Sequence, residues 1–302
     1  MGRRFSRRRL DVADELFNHL DGASLRAIRR QNTLAIATSG GLDSSVLAAL
    51  IASHCDIPLY LVTASRPGAI DATRARMLAR HLELPLIEVV LTKATTSMLL
   101  SELAPLLEPE QIDPARAEEW GLPPDTKRVS PIRAGVGLVL LACAREASRF
   151  ARRLVLGQGA DEFFGGYARY QNASPEELPA ILDRDREAVR VAGVAHEARI
   201  AKSVGMQFHY PYLDAGVVAF AQGLPVDALF SATERKPLLR EVARKLDLPR
   251  DIVEAPKTAA QYGSGSGDLL AALAEEAGMP QNDFLTALVA QRKTGEPHSL
   301  RT

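Results

Sequence analysis

Two glycine-rich islands carry the residues most able to do chemistry. The first is Ser39-Gly40-Gly41-Leu42-Asp43-Ser44-Ser45. It follows the apolar run Thr33 to Thr38 and precedes Val46, Leu47, Leu50 and Ile51 at helical spacing, so it reads as a turn from strand to helix. Free backbone N–H groups and the positive helix end converge at such a turn, which makes it a place for an anion such as a phosphate. Ser39 and Ser44 add hydroxyl donors, and Asp43 offers a carboxylate for Mg2+ beside the phosphates. The second island, Leu156-Gly157-Gln158-Gly159-Ala160-Asp161-Glu162-Phe163-Phe164-Gly165-Gly166-Tyr167, sets an acidic pair among small residues at another strand end. Two carboxylates from separate loops suit a hard cation that bridges phosphates and keeps some of its waters. Taken alone, the first island is equally a tight turn with a serine cap, and Asp161-Glu162 equally a solvated pair at a helix start. No Walker A lysine motif, GxGxxG or HExxH occurs, which removes the usual signatures of γ-phosphate transfer, hydride chemistry and zinc hydrolysis.

The surrounding pattern predicts the elements that hold these islands. Leu10 to about Arg30 reads as one or two amphipathic helices with a break at Asp21-Gly22. Strands are expected at 33–38, 57–63, 85–91 and 153–156, with a helix over 71–82 capped by Asp71 and a long helix from Ile132 to Phe150. That βαβαβ rhythm implies a parallel sheet in an α/β fold. Beyond Tyr170 the pattern turns helical, at about 175–200, 213–222, 236–246, 268–277 and 282–292, with Gly263 to Gly267 as a flexible loop. Three parts follow: 1–30 as N-terminal helices, 31–170 as an α/β domain that carries both glycine-rich islands, and 171–302 as a helical substrate or lid region.

Composition narrows the classes further. The 302 residues are 46% hydrophobic and 25% charged, with 37 basic and 37 acidic side chains, so no net field draws the chain to nucleic acid or an acidic membrane. No segment approaches the roughly 18 apolar residues of a membrane span. Two cysteines, Cys55 and Cys143, build neither a disulfide framework nor a thiolate cage, so a reducing cytoplasm is expected. Arg3, Arg4, Arg7, Arg8 and Arg9 begin the chain with no apolar segment after them, which reads as a solvated tail rather than a secretory signal.

The first island is similar to the pyrophosphate-binding loop of the N-type ATP pyrophosphatases, the PP-loop superfamily, which cleave ATP between its α and β phosphates. The second resembles the Ser-Gly-Glu-Gly-Ala-Asp-Glu-Leu-Phe-Gly-Gly-Tyr motif of the synthetase domain of asparagine synthetase and its β-lactam synthetase relatives. Gly205 to Asp214 (GMQFHYPYLD) and Lys236-Pro237-Leu238-Leu239-Arg240 resemble two further motifs of that family, in the same order. Lys257, followed by Gly263 and Gly265, resembles its lysine loop, and Arg133 resembles an arginine near the nucleotide.

The resemblance implies a Rossmann-like core of the adenine nucleotide alpha hydrolase-like kind. It implies that Ala37 and Ser39, Gly40, Gly41, Leu42, Asp43, Ser44 and Ser45 line ATP, together with Leu156, Gly157 and Gln158, while Ala64 faces the base. Asp43 and Asp161 would share Mg2+, and Lys257 would neutralise charge on the phosphates during transfer. The implied reaction activates a carboxylate, aspartate by default, as an acyl-adenylate with release of pyrophosphate. Ammonia or an amine then displaces AMP.

The sequence departs from the family at Gln158, Gln207 and His209, where it has Glu, Glu and Arg. Gly2, not cysteine, follows Met1, so a glutaminase activity is expected only from a separate subunit. Two alternatives stay open: a tRNA-modifying PP-loop ATP pyrophosphatase, which shares the first loop, and a non-catalytic nucleotide-binding paralogue.

Overall fold

Five short segments form one parallel sheet in the order β3-β2-β1-β4-β5, with apolar residues on both faces of the central β1 and β2. They are β1 (Leu34–Ala37), β2 (Leu59–Ser65), β3 (Leu86–Val90), β4 (Arg153–Val155) and β5 (Gln207–His209). This computed structural model describes residues 2–111, 123, 126–231 and 234–294, with side chains from residue 10 to residue 291. The side chains of the arginine-rich start lie outside the described ones. Register is set by two-residue alternation: Leu34 and Ile36 of β1 pair with Leu59 and Leu61 of β2, and all four enter one core. Ala35, Val62 and Leu154 face the opposite core.

Each core is closed by helices. On one face, α1 (Gly2–Ile28) and α2 (Leu42–Ala52) supply Leu16, Leu20, Leu47 and Leu50. On the other, α4 (Lys93–Leu103) and α5 (Pro131–Ala147) supply Leu99, Leu103, Leu138 and Leu141. The chain adds β2 and β3 on one side of β1, then returns to add β4 and β5 on the other. Strand order therefore reverses between β1 and β4, and in open parallel sheets ligands bind beyond the carboxyl ends of the strands at such a reversal. Both islands leave the sheet there.

The expected Rossmann-like sheet with a mostly helical second half is present, and the differences from expectation have local causes. The first segment is one helix without a break at Gly22, because Ala13, Leu16, Leu20, Ala23 and Ala27 keep one buried stripe through it. Burial of that stripe outweighs the roughly 1 kcal/mol helix penalty of a glycine. β5, three residues long, lies inside the half read as helical, where a strand of that length leaves no periodic signal. Leu178–Ala188 and α7 (Val194–Ser203) are joined by a π-helical turn at Val189–Gly193. Gly263 to Gly267 is not a loose loop, since Ser264 and Ser266 are fully buried. The Ser264 carbonyl accepts from Arg66 N at 2.8 Å, and the Ser266 hydroxyl donates to the Gly135 carbonyl at 2.9 Å.

Candidate active site

The first island is built by Thr38, the residue after β1. Its hydroxyl oxygen accepts from the Gly40 amide at 2.9 Å and lies 3.0 Å from the Ser44 hydroxyl, which curls the loop back over the strand end. Gly40 has φ +65°, and a Cβ there would lie 2.2 Å from the carbonyl carbon of Arg74 in α3 (Ile70–His81), so only glycine fits. Gly41 precedes α2 without a side-chain cap, which leaves the first amides of that helix available to a ligand. The Tyr212 hydroxyl donates to the Asp43 carbonyl at 3.0 Å and pins the same turn from the far side.

The second island begins after β4 and turns into α6 (Ala160–Phe164), whose first turn carries Asp161. Lys236 Nζ lies 2.7 and 2.6 Å from the two oxygens of Asp43 and 2.5 Å from Asp161 Oδ1. Lys257 Nζ lies 2.5 Å from Asp161 Oδ2 and 3.9 Å from Asp43 Oδ2. Residues from four distant parts of the sequence thus meet in one cluster of two carboxylates and two ammonium groups. Gly166 makes room for it, since a Cβ there would lie 1.9 Å from Asp161 Oδ1.

The motif around Lys236 shows how the sequence aims these cations. Lys236 itself is 4% exposed and sits at φ +55°, a left-handed conformation that non-glycine residues hold only where the surroundings enforce it. Pro237 then opens α8 (Pro237–Lys245), and Leu238 and Leu239 anchor that helix in the core. Arg240 donates to the carbonyls of Val253 and Ala255, gripping the chain just before Lys257. Apart from its motif with Pro237 and Arg240, nothing in the local sequence marks Lys236 as part of the site; the left-handed turn and the burial place it there.

Burial pushes the Asp161 carboxyl up, but the ammonium groups of Lys236 and Lys257 outweigh it and hold Asp161 well below the usual carboxylate range. Burial likewise disfavours the Lys257 ammonium, and Asp161 with Asp43 more than offsets this, so Lys257 stays charged. Asp43 Oδ2 and Asp161 Oδ1 lie 2.6 and 2.5 Å from one cationic nitrogen, so the pair already converges on a single cation position. Their hard oxygens fit Mg2+, which is held by one or two carboxylates plus phosphate and water. Among the described residues no three His, Cys, Asp or Glu side chains meet, so the remaining ligands of such an ion would have to come from phosphate and water.

The cluster forms the floor of a cleft of about 580 Å³. Ala37 at the end of β1 and Ser39, Gly41, Leu42, Asp43 and Ser44 of the first island line it, with Ala64 near the end of β2. Leu156, Gly157, Gln158 and Asp161 line it from the second, and Lys257 from the segment after α8. Gly40 lies beneath the loop against α3, and Ser45 is fully buried behind it. Ile132, Val136, Val139 and Leu140 of α5 form an apolar wall.

Arg133 turns away from the cleft and pairs with Glu110 at 2.5 Å. Of the three departures from the resembled motifs, Gln158 lines the cleft, whereas Gln207 and His209 sit on β5 outside its lining.

Asp71 was expected to cap α3, but Ala69 occupies that position and Asp71 lies buried in the first turn against the Gly263 backbone. Burial pushes its carboxyl up to about 7, so its ionisation opposes folding progressively from the ordinary carboxylate range upward. Asp71→Asn is expected to raise stability at pH 8 by on the order of 2 kcal/mol, with the gain gone by about pH 4. Chemical denaturation at the two pH values checks this.

The family model described as asparagine synthase matches residues 15–197 and 181–283. A Methanocaldococcus jannaschii protein named for glutamine-hydrolysing asparagine synthetase is 26% identical over 318 residues, covering 92% of this chain and 55% of that protein. Human glutamine-hydrolysing asparagine synthetase is 26% identical over 256 residues, covering 82% of this chain and 42% of its own length. The chain thus spans about half the length of the curated relatives it matches. Among solved structures, NMN synthetase from Francisella tularensis aligns with a TM-score of 0.43 at 14% identity, over 96% of this chain and 87% of that one. The family match runs through both islands and the helix between them, and this chain belongs to the asparagine synthase family.

Proposed function

We propose that this chain is an ATP-dependent ligase that activates a carboxylate as an acyl-adenylate, releases pyrophosphate, and forms an amide as a nitrogen nucleophile displaces AMP. The observation that carries this reading is the meeting of Asp43, Asp161, Lys236 and Lys257 in front of the open α2 amides. Amides and cations at one point bind a triphosphate, and the apolar wall opposite Ala64 receives the base.

The amides of the first island hold the pyrophosphate half, so the α-phosphorus lies open to a substrate carboxylate oxygen. Asp43 and Asp161 would hold Mg2+, which would supply charge neutralisation to the phosphates when bound. Lys257, with 29% of its side chain exposed at the edge of the cluster, leaves Asp161 and follows the charge that develops on the α-phosphate and the departing pyrophosphate. Arg240 positions Lys257 by holding the two carbonyls upstream of it.

Aspartate is the first carboxylate to test. Ammonia, an amine, or ammonia from a separate glutaminase subunit supplies the nitrogen. No described helix is long and apolar enough to cross a membrane.

The full chain with Mg2+, ATP, aspartate and ammonium is expected to give AMP and pyrophosphate in equal amounts, resolved by chromatography. ADP as the nucleotide product, or no product with a panel of amino-acid carboxylates, would overturn the reading.

A further inference from the structure

The proposed ligase leaves one chemical task without a residue. An attacking ammonium must lose a proton before its nitrogen can bond to carbon, and Gln158, an amide, can orient it by hydrogen bonding but cannot take that proton. We propose that Glu197 binds the attacking nitrogen, ammonia or a primary amine, and accepts its proton. This assignment rests on the ligase reading above.

Glu197 lies on α7, is 7% exposed, and lines the same cleft as Gln158 and Asp161. The Tyr210 hydroxyl lies near its carboxyl and favours the charged form, while Oε2 has no hydrogen-bond partner among the described residues. A buried carboxyl oxygen left unmatched opposes folding, and a bound N–H donor removes that penalty.

Position supports the same role. The Gln158 side-chain nitrogen would lie 3.2 Å from a Cβ at Gly193, the last residue of the π-helical turn, and Glu197 follows one turn later. The two side chains therefore face the cleft from one wall, and π turns concentrate at functional sites. Burial, with the nearby Glu162 charge, pushes Glu197 up to about 7 although Tyr210 opposes the shift, which suits a group that takes and returns a proton near neutral pH.

The step balances without another reagent. The Glu197 carboxylate takes one proton from R–NH3+ and leaves R–NH2. The nitrogen lone pair forms the C–N bond at the acyl carbon, and the bond from that carbon to the AMP oxygen breaks with its electron pair leaving on AMP. The second N–H proton passes to the phosphate or water, and Glu197 returns its proton to solvent.

Glu197→Gln in the full chain tests this with Mg2+, ATP and aspartate and three nucleophile arms. Hydroxylamine is neutral at pH 7.5 to 8 and needs no proton acceptor before attack, whereas ammonium and methylammonium do. The variant is expected to keep hydroxylamine-dependent AMP release and ATP–pyrophosphate exchange within about threefold of the parent. It should lose at least about 100-fold in whichever of the ammonium and methylammonium arms the parent uses, which also identifies the nitrogen source.

Tyr210→Phe, which removes only a hydroxyl, should show the same split at about tenfold and decides the matter if Glu197→Gln does not fold. Equal losses in all arms, or no loss with ammonium or methylammonium, overturn the assignment of Glu197 alone. A parent chain that releases no AMP with any nucleophile overturns the ligase reading and this assignment together.

Discussion

Lys257→Ala is expected to lower AMP formation by about 10²–10³-fold while ATP affinity changes by less than about threefold. In the free chain Lys257 is held 2.5 Å from Asp161 and sits at the edge of the cluster, with Lys236 already neutralising the inner carboxylate oxygens. ATP bound in its ground state is met by the α2 amides and by Lys236, so removing Lys257 takes away little ground-state binding. Charge that accumulates on the α-phosphate and the leaving pyrophosphate during transfer has no comparable mobile cation, and an interaction made mainly at that moment appears in kcat rather than in affinity. Steady-state kinetics and equilibrium ATP binding on the same preparation separate the two. Parallel losses of affinity and turnover would place Lys257 in nucleotide binding instead. Lys257→Arg is expected to recover less than a tenth of the activity, because a planar guanidinium held at Asp161 does not occupy the position of a compact ammonium.

How much of this was legible in sequence depends on the range of the interactions. The strand–turn–helix at Ser39 to Ser45 was readable because its signals are local: an apolar run, two glycines, then helical periodicity. The same holds for the Asp161 turn. The sheet order could not be read in this way, since β5 is three residues long and pairs with β4 across residues 156–206, a mostly helical segment. Tertiary burial also overruled local chemistry twice. Gly22 stays helical because its neighbours face a core, and Gly263 to Gly267, polar and glycine-rich, packs between Arg66, Asp71 and α5.

Lys236 and Glu197 show the same limit within the site. A buried lysine and a buried glutamate look like surface residues of amphipathic helices until the fold reveals what surrounds them. For Lys236 the one sequence signal was its motif with Pro237 and Arg240. For Glu197 there was none.

Lys236→Met supplies the strongest stability test of the cluster, because it keeps the aliphatic stem and removes only the shared cation. Lys236 Nζ touches Asp43 and Asp161 from a side chain 5% exposed, so its loss leaves two carboxylates facing each other with Lys257 alone between them and solvent. Stranding buried charge in this way opposes folding by about 3–5 kcal/mol, which for a chain of this size lowers Tm by roughly 10 °C. The pH dependence fixes the cause. In the parent, the depressed Asp161 carboxyl contributes stability that is present above the ordinary carboxylate range and is lost as pH falls through its folded value. In the variant the sign reverses, because protonating a carboxylate relieves the mismatch, so the deficit seen by differential scanning calorimetry at pH 7.5 should shrink toward pH 4.5. Millimolar magnesium should restore part of the loss at pH 7.5, since a cation bound to the folded state alone stabilises it by mass action. A deficit unaffected by pH and by magnesium would mean that Lys236 contributes through its stem and its left-handed backbone, and that the two carboxylates do not form the cation site on which the ligase reading depends.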